Sequence, residues 1–137
     1  MPEPLDGLAA ADAHLGRPFP LPAAPLPLTR WVEVRAVGPG AEVEFNLDDS
    51  RADAPGRLAL YAGPVPPPDQ LTEAAGAVEQ TNVRGLRLRR APLADAQPSL
   101  RPVVEVDWHA GGLSLRLTAQ GPWALEDVLA IVAAVSV

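Results

Sequence analysis

Two stretches of the chain alternate strictly between apolar and polar residues. In AEVEFNL, Ala41, Val43, Phe45 and Leu47 share one face and Glu42, Glu44 and Asn46 the other; in GLSLRLTAQ, Leu113, Leu115, Leu117 and Ala119 oppose Ser114, Arg116, Thr118 and Gln120. A period of two is the mark of a strand buried on one side. Weaker alternation over Trp31–Val37, Arg57–Ala62, Val78–Val83, Leu86–Ala91 and Val103–His109 brings the predicted strands to seven, parted by turn-rich pieces such as Gly38-Pro39-Gly40, Asp48–Gly56 and Gly111-Gly112. The period changes at both ends of the chain. Leu5, Leu8, Ala9, Ala11 and Leu15 fall roughly on one helical face ahead of Gly16, and Leu125, Val128, Leu129, Val132 and Val135 repeat at helical spacing behind Glu126 and Asp127, acids that suit a helix N-terminus. Between the first helix and the first strand, Pro18–Pro27 carries a proline at every second or third position, which forces extended backbone and predicts a connector on the surface. The order helix, strand run, helix predicts an α+β fold: a curved antiparallel sheet of six or seven strands with an N-terminal and a C-terminal helix packed on one face. Trp108 shares its face with Val104 and Val106, so it is expected in the core beside the last helix.

Composition adds limits. With 137 residues, 47% of them hydrophobic, the chain makes a single domain over residues 1–137, and the absence of cysteine excludes disulfides, thiolate zinc sites and cysteine nucleophiles. Met1–Asp12 carries three acids and no basic residue, unlike a secretory leader, and the longest uncharged helical stretch, Val128–Val137, falls short of the roughly 20 residues that cross a bilayer. The expectation is a cytoplasmic chain without a membrane span. Net charge is -6 and every basic residue is arginine, so long-range electrostatics disfavour nucleic acid as a partner.

Candidate chemistry is sparse. The acidic run Asp48, Asp49, Ser50, Arg51, Asp53 resembles half a calcium loop but lacks the glycine and the closing glutamate, which leaves a solvated hairpin loop as the reading. Asp107 and His109 stand two apart on one strand face and supply two metal ligands or a base and its orienter; with no third ligand nearby, a solvated polar face is the expectation and no metal is assigned. Arg84, Arg87, Arg89 and Arg90 are expected to pair with Glu42, Glu44, Glu105 or Asp107 on neighbouring strands. His14, near the end of the first helix, suits the helix dipole. Pro64–Pro68 (PVPPP) and Pro22-Ala23-Ala24-Pro25 have the spacing of polyproline-helix ligands, with linker as the default.

The succession of an Ala-rich helix, LGRPFPLPAAPLPLTRWVEV, AEVEFN, RLALYAG and VDWHAGGLSLRLTAQGPWALEDVLAIVAAV resembles a bacterial domain-of-unknown-function family. That family often forms the outer part of anti-sigma-factor-like and sporulation membrane proteins and is related to the lipoprotein-carrier fold. The resemblance rests on Phe19, Pro22, Leu26, Pro27, Trp108, Gly112, Leu113, Leu115 and Leu125 to Val135; the chain departs from it at Leu28-Thr29 and Pro122-Trp123 and in having no membrane anchor.

The function expected from the sequence is a non-catalytic binding or regulatory protein-interaction module, with a protein partner or a homodimer and with no catalytic residue and no cofactor. The alternative, implied by the carrier relationship, is a carrier or sensor of a hydrophobic ligand lined by Phe19, Trp31, Phe45 and Trp108. A metal-dependent hydrolase at Asp107 and His109 is the third. Aromatic residues make only 4% of the chain and alanine packs helix close to sheet, so a filled core without a ligand-sized cavity is predicted.

Overall fold

A computed structural model of the chain describes residues 3–23, 29–47, 57–67, 79–83, 86–91, 103–120 and 125–135. Among the described residues eight antiparallel strands form one open sheet: β1 (Glu3–Leu5), β2 (Thr29–Val37), β3 (Gly40–Leu47), β4 (Arg57–Gly63), β5 (Glu79–Val83), β6 (Leu86–Ala91), β7 (Val103–Ala110) and β8 (Leu113–Gln120). Their order across the sheet, β1-β2-β3-β4-β8-β7-β6-β5, is two meanders joined where the last strand of each, β4 and β8, pair. Helix α1 (Leu8–Leu15) lies between β1 and β2 in sequence, and α2 (Leu125–Ala133) follows β8. The α+β class, the antiparallel sheet and the two helices are as the periodicity predicts.

Register turns the alternation into two faces. Leu5, Val34, Val43, Leu60, Leu117, Val106 and Leu88 are successive partners from β1 to β6, and they meet Ala11 of α1 and Val128, Ile131 and Val132 of α2 in one buried cluster. Both helices therefore cover the same face. Two-residue turns close the β2–β3 and β7–β8 hairpins; in the second, Gly111 and Gly112 both take positive φ, 58° and 78°, as a type I′ turn requires.

Three expectations change. Leu5, read as the start of the first helix, belongs to β1, because Gly7 takes a positive φ of 89° and the helix begins only after it. The proline-rich connector is not confined to the surface. Phe19 is buried, its N–H donating to the Asp12 carboxylate at 2.8 Å, while Pro22 bridges to Val135 and the Ala23 N–H donates to the Ala134 carbonyl at 3.0 Å. Trp108 is half-buried rather than enclosed, packing against the core from its margin beside α2. The acidic loop at 48–53, Arg84 and the 24–28 part of the connector lie outside the described residues.

Candidate functional site: a buried charge row and an uncovered strand edge

The face of the sheet away from the helices carries the polar half of the alternation, and register lines its residues up across the strands. Arg35 of β2 is opposite Glu42 of β3, then follow Tyr61 of β4, Arg116 of β8, Asp107 of β7 and Arg87 of β6. A second row runs Glu33, Glu44, Ala59, Thr118, Glu105. The sequence predicts a solvated polar surface here. Instead the centre of this face is withdrawn from water, with Tyr61 at 1% exposure, Glu105 at 2%, Arg116 at 5% and Glu44 at 8%.

Charges this deep persist only when paired. The Arg116 Nε lies 2.7 Å from Asp107 Oδ1 and 3.4 Å from Glu105 Oε1, and its Nη2 is 3.1 Å from Asp107 Oδ2. Asp107 also accepts from Arg87, whose Nε is 3.1 Å from Oδ2 and whose Nη2 is closer still. At the other end Arg35 reaches Glu42 at 2.5 Å, Glu33 at 2.9 Å and Glu44 at 3.2 Å. The arginine-to-acid pairing expected for β6 thus holds at Arg87, while Glu42 and Glu44 are taken by Arg35. For Arg35, burial works against the charge, but hydrogen bonds to Glu42 and Glu44 outweigh it and hold its pKa above the usual value. Burial raises the Tyr61 phenol, which stays a hydrogen-bond donor, and Arg116 offsets part of that rise.

For the Asp107 carboxyl, burial alone would raise the pKa; hydrogen bonds and charge from Arg116 and Arg87 win and hold it below the usual carboxylate range. Such a group stabilises the fold fully above its unfolded value, near pH 4, and the contribution disappears as pH falls through the lower folded value. The urea midpoint is therefore expected to drop as the pH is taken below about 4, and to drop less steeply in Asp107→Asn. Identical acid slopes in the two proteins would show that the pairing does not couple to folding.

Asp107, one of the two candidate ligands, is thus committed to two arginines. His109 is exposed, with its Nδ1 3.2 Å from the hydroxyl of Ser114, its direct partner across the β7–β8 ladder. Among the described residues no group of three His, Asp or Glu side chains is gathered as a metal site would need. His14 donates from Nε2 to the Gly38 carbonyl at 2.9 Å, a tertiary tie that helix-dipole reasoning did not foresee.

Of the four aromatic residues considered as a ligand lining, the side chains of Phe19, Phe45 and Trp108 are described and that of Trp31 lies outside the described ones. Phe19 and Phe45 pack into the helix-side core, Trp31 occupies a β2 position paired with Asn46, and Trp108 lines a groove of about 230 Å³ with Leu86, Leu129, Val132 and Ala133. A larger hollow, about 460 Å³, lies instead at the sheet margin, lined by Pro4, Leu5, Gly7, Val32, Glu33, Val34 and Arg35. A space of this size was not expected from the composition. Its origin is local: β1 pairs only with Val34–Ala36, and after Leu5 the chain lifts away through Asp6 and Gly7 into α1. The β1 ladder therefore stops at Val34, and Val32, two residues beyond it, is 45% exposed although it belongs to the apolar face. A register shift between Thr29 and Trp31 marks the far end of this notch.

No family profile, curated protein or solved structure matches the chain. Among the described residues no helix is long and apolar enough to cross a membrane.

Proposed function

We propose that the protein is a non-catalytic interaction module that takes an extended peptide segment at the notch beside β2. The observation that carries this reading is the hollow at the β2 margin, which opens where the β1 ladder stops at Val34 and is floored by Val32 and Leu5. An incoming strand continuing the line of β1 would extend the ladder along β2 past Val34, place an apolar side chain on Val32, and set polar ones near Glu33. Strand addition at a free edge draws its affinity from main-chain hydrogen bonds and its specificity from alternate side chains.

Peptides selected from a random display library on the purified protein test the reading. The expected outcome is enrichment of sequences with alternating apolar positions, binding in the micromolar range typical of short segments, about −8 kcal/mol at 1 μM, and at least about tenfold weaker binding to Val32→Lys, a charge placed on the notch floor. Selected peptides that bind Val32→Lys as well as the parent would overturn it. Saturable one-to-one uptake of a fluorescent fatty acid, competed by lipid, would replace it with the carrier reading.

A further inference from the structure

We infer that the partner taken at the β2 hollow is the free N-terminus of an extended chain, with its α-ammonium group beside Glu33 and an apolar second residue on Val32. The inference rests on the strand-addition reading above and adds to it a polarity and an end chemistry. β1 and β3 both run antiparallel to β2, so a strand that continues the line of β1 along β2 is antiparallel too. β1 pairs Glu3 with Ala36, Pro4 with Arg35 and Leu5 with Val34, descending one β2 position per residue. The next three β2 positions are Glu33, Val32 and Trp31, beyond which the β2–β3 register shifts on the way to Thr29. The first residue of the incoming strand therefore falls opposite Glu33, its second opposite Val32 and its third opposite Trp31.

The place ahead of that first residue is occupied. Successive strand residues are about 3.4 Å apart, so a residue before the one opposite Glu33 would fall opposite Val34, where Leu5 sits half-buried against the core. A chain that runs on past this point has to expel β1, whereas a chain that begins there fits. Gly7, at φ 89°, lines the hollow where the backbone turns from β1 into α1, which closes the same end. The lining also selects which terminus is received. Glu33 and Arg35 are its charged residues. Arg35 is held by Glu42 at 2.5 Å, Glu33 at 2.9 Å and Glu44 at 3.2 Å, and its side chain is 20% exposed against 52% for Glu33, so the charge presented to solvent is chiefly the carboxylate. A parallel strand would bring a C-terminal carboxylate against it, an antiparallel strand an ammonium group, and the net charge of -6 favours the ammonium at longer range. Ammonium and carboxylate form charge-assisted hydrogen bonds, and capture of a terminal amine is a recurring mode of peptide recognition. Alternation supplies the rest: Val32 lies on the apolar face, so position two of the partner is apolar, and position one, on the face of Glu33, is polar.

The test uses two synthetic pools of random hexapeptides, one with free N-termini and one N-acetylated, captured on the purified protein and sequenced by mass spectrometry. The free pool is expected to be enriched, with an apolar residue at position two. Resynthesised with an acetyl cap, the tightest free binder should bind about tenfold more weakly, the size of one lost charge-assisted hydrogen bond. Glu33→Gln should weaken the free form several-fold and leave the acetylated form unchanged, with the circular dichroism spectrum retained. Equal binding of the free and acetylated forms, both weakened by Val32→Lys, would overturn this inference and leave the strand-addition reading intact; so would a loss on acetylation that is just as large in Glu33→Gln. Capture from neither pool, or capture that Val32→Lys does not weaken, would overturn both.

Discussion

Replacing Arg116 by leucine is expected to cost about 3–5 kcal/mol of folding stability, the loss typical of removing one partner from a buried ion pair. Arg116 is 5% exposed and is the cation between Glu105, 2% exposed, and Asp107. Asp107 would keep Arg87, but Glu105 would lose the guanidinium 3.4 Å from it and remain in a setting where an ionised carboxylate is poorly solvated. The loss should appear as a lower urea midpoint with an unchanged m-value. Adding Glu105→Leu to Arg116→Leu should then recover much of it, because two apolar side chains replace a desolvated pair whose attraction only roughly offsets its desolvation. A single-variant loss below about 1 kcal/mol would mean that water reaches this row, since exposed pairs contribute about that much or less.

The same residues show where the sequence is legible and where it is not. Val43, Phe45, Leu115 and Leu117 announce a half-buried strand because a period of two has no helical counterpart, and seven strands follow from patterns of that kind. β1 left no such trace: three residues, one of them Pro4, are too short for a period, and Leu5 happens to stand at helical spacing from Leu8. The polar face was visible, but its burial was not. Glu105, Asp107 and Arg116 read as solvent-facing on their own strands, and only the pairing of β8 with both β7 and β4 brings them together with Tyr61. That strand order depends on the second meander returning beside the first, a long-range event that no local pattern encodes. A lone arginine among the leucines of β8 was the available signal. The notch beside β2 was equally hidden, since it depends on where β1 stops rather than on what β2 contains.

Gly63→Ala is expected to destabilise the protein by about 3 kcal/mol, near the upper end for overpacking a well-filled site. Gly63 and Gly40 lie beneath the ring of Tyr61, which leans along its strand across both. A methyl group on Gly63 would overlap the Tyr61 hydroxyl and come within 2.8 Å of the Gly40 Cα, so a backbone atom as well as a ring would have to move. The ring has little freedom to yield, being 1% exposed and hydrogen-bonded through its hydroxyl to Val65. The mechanism predicts coupling between the two positions. In a Tyr61→Leu background, which is itself destabilised but leaves space over Gly63, the added cost of Gly63→Ala should fall to about 1 kcal/mol, the interaction energy that contacting residues commonly show making up the difference. Urea unfolding of the four proteins in this cycle measures it. Strictly additive losses would mean that the alanine is resisted by the strand backbone alone and that Tyr61 does not rest on the glycine pair.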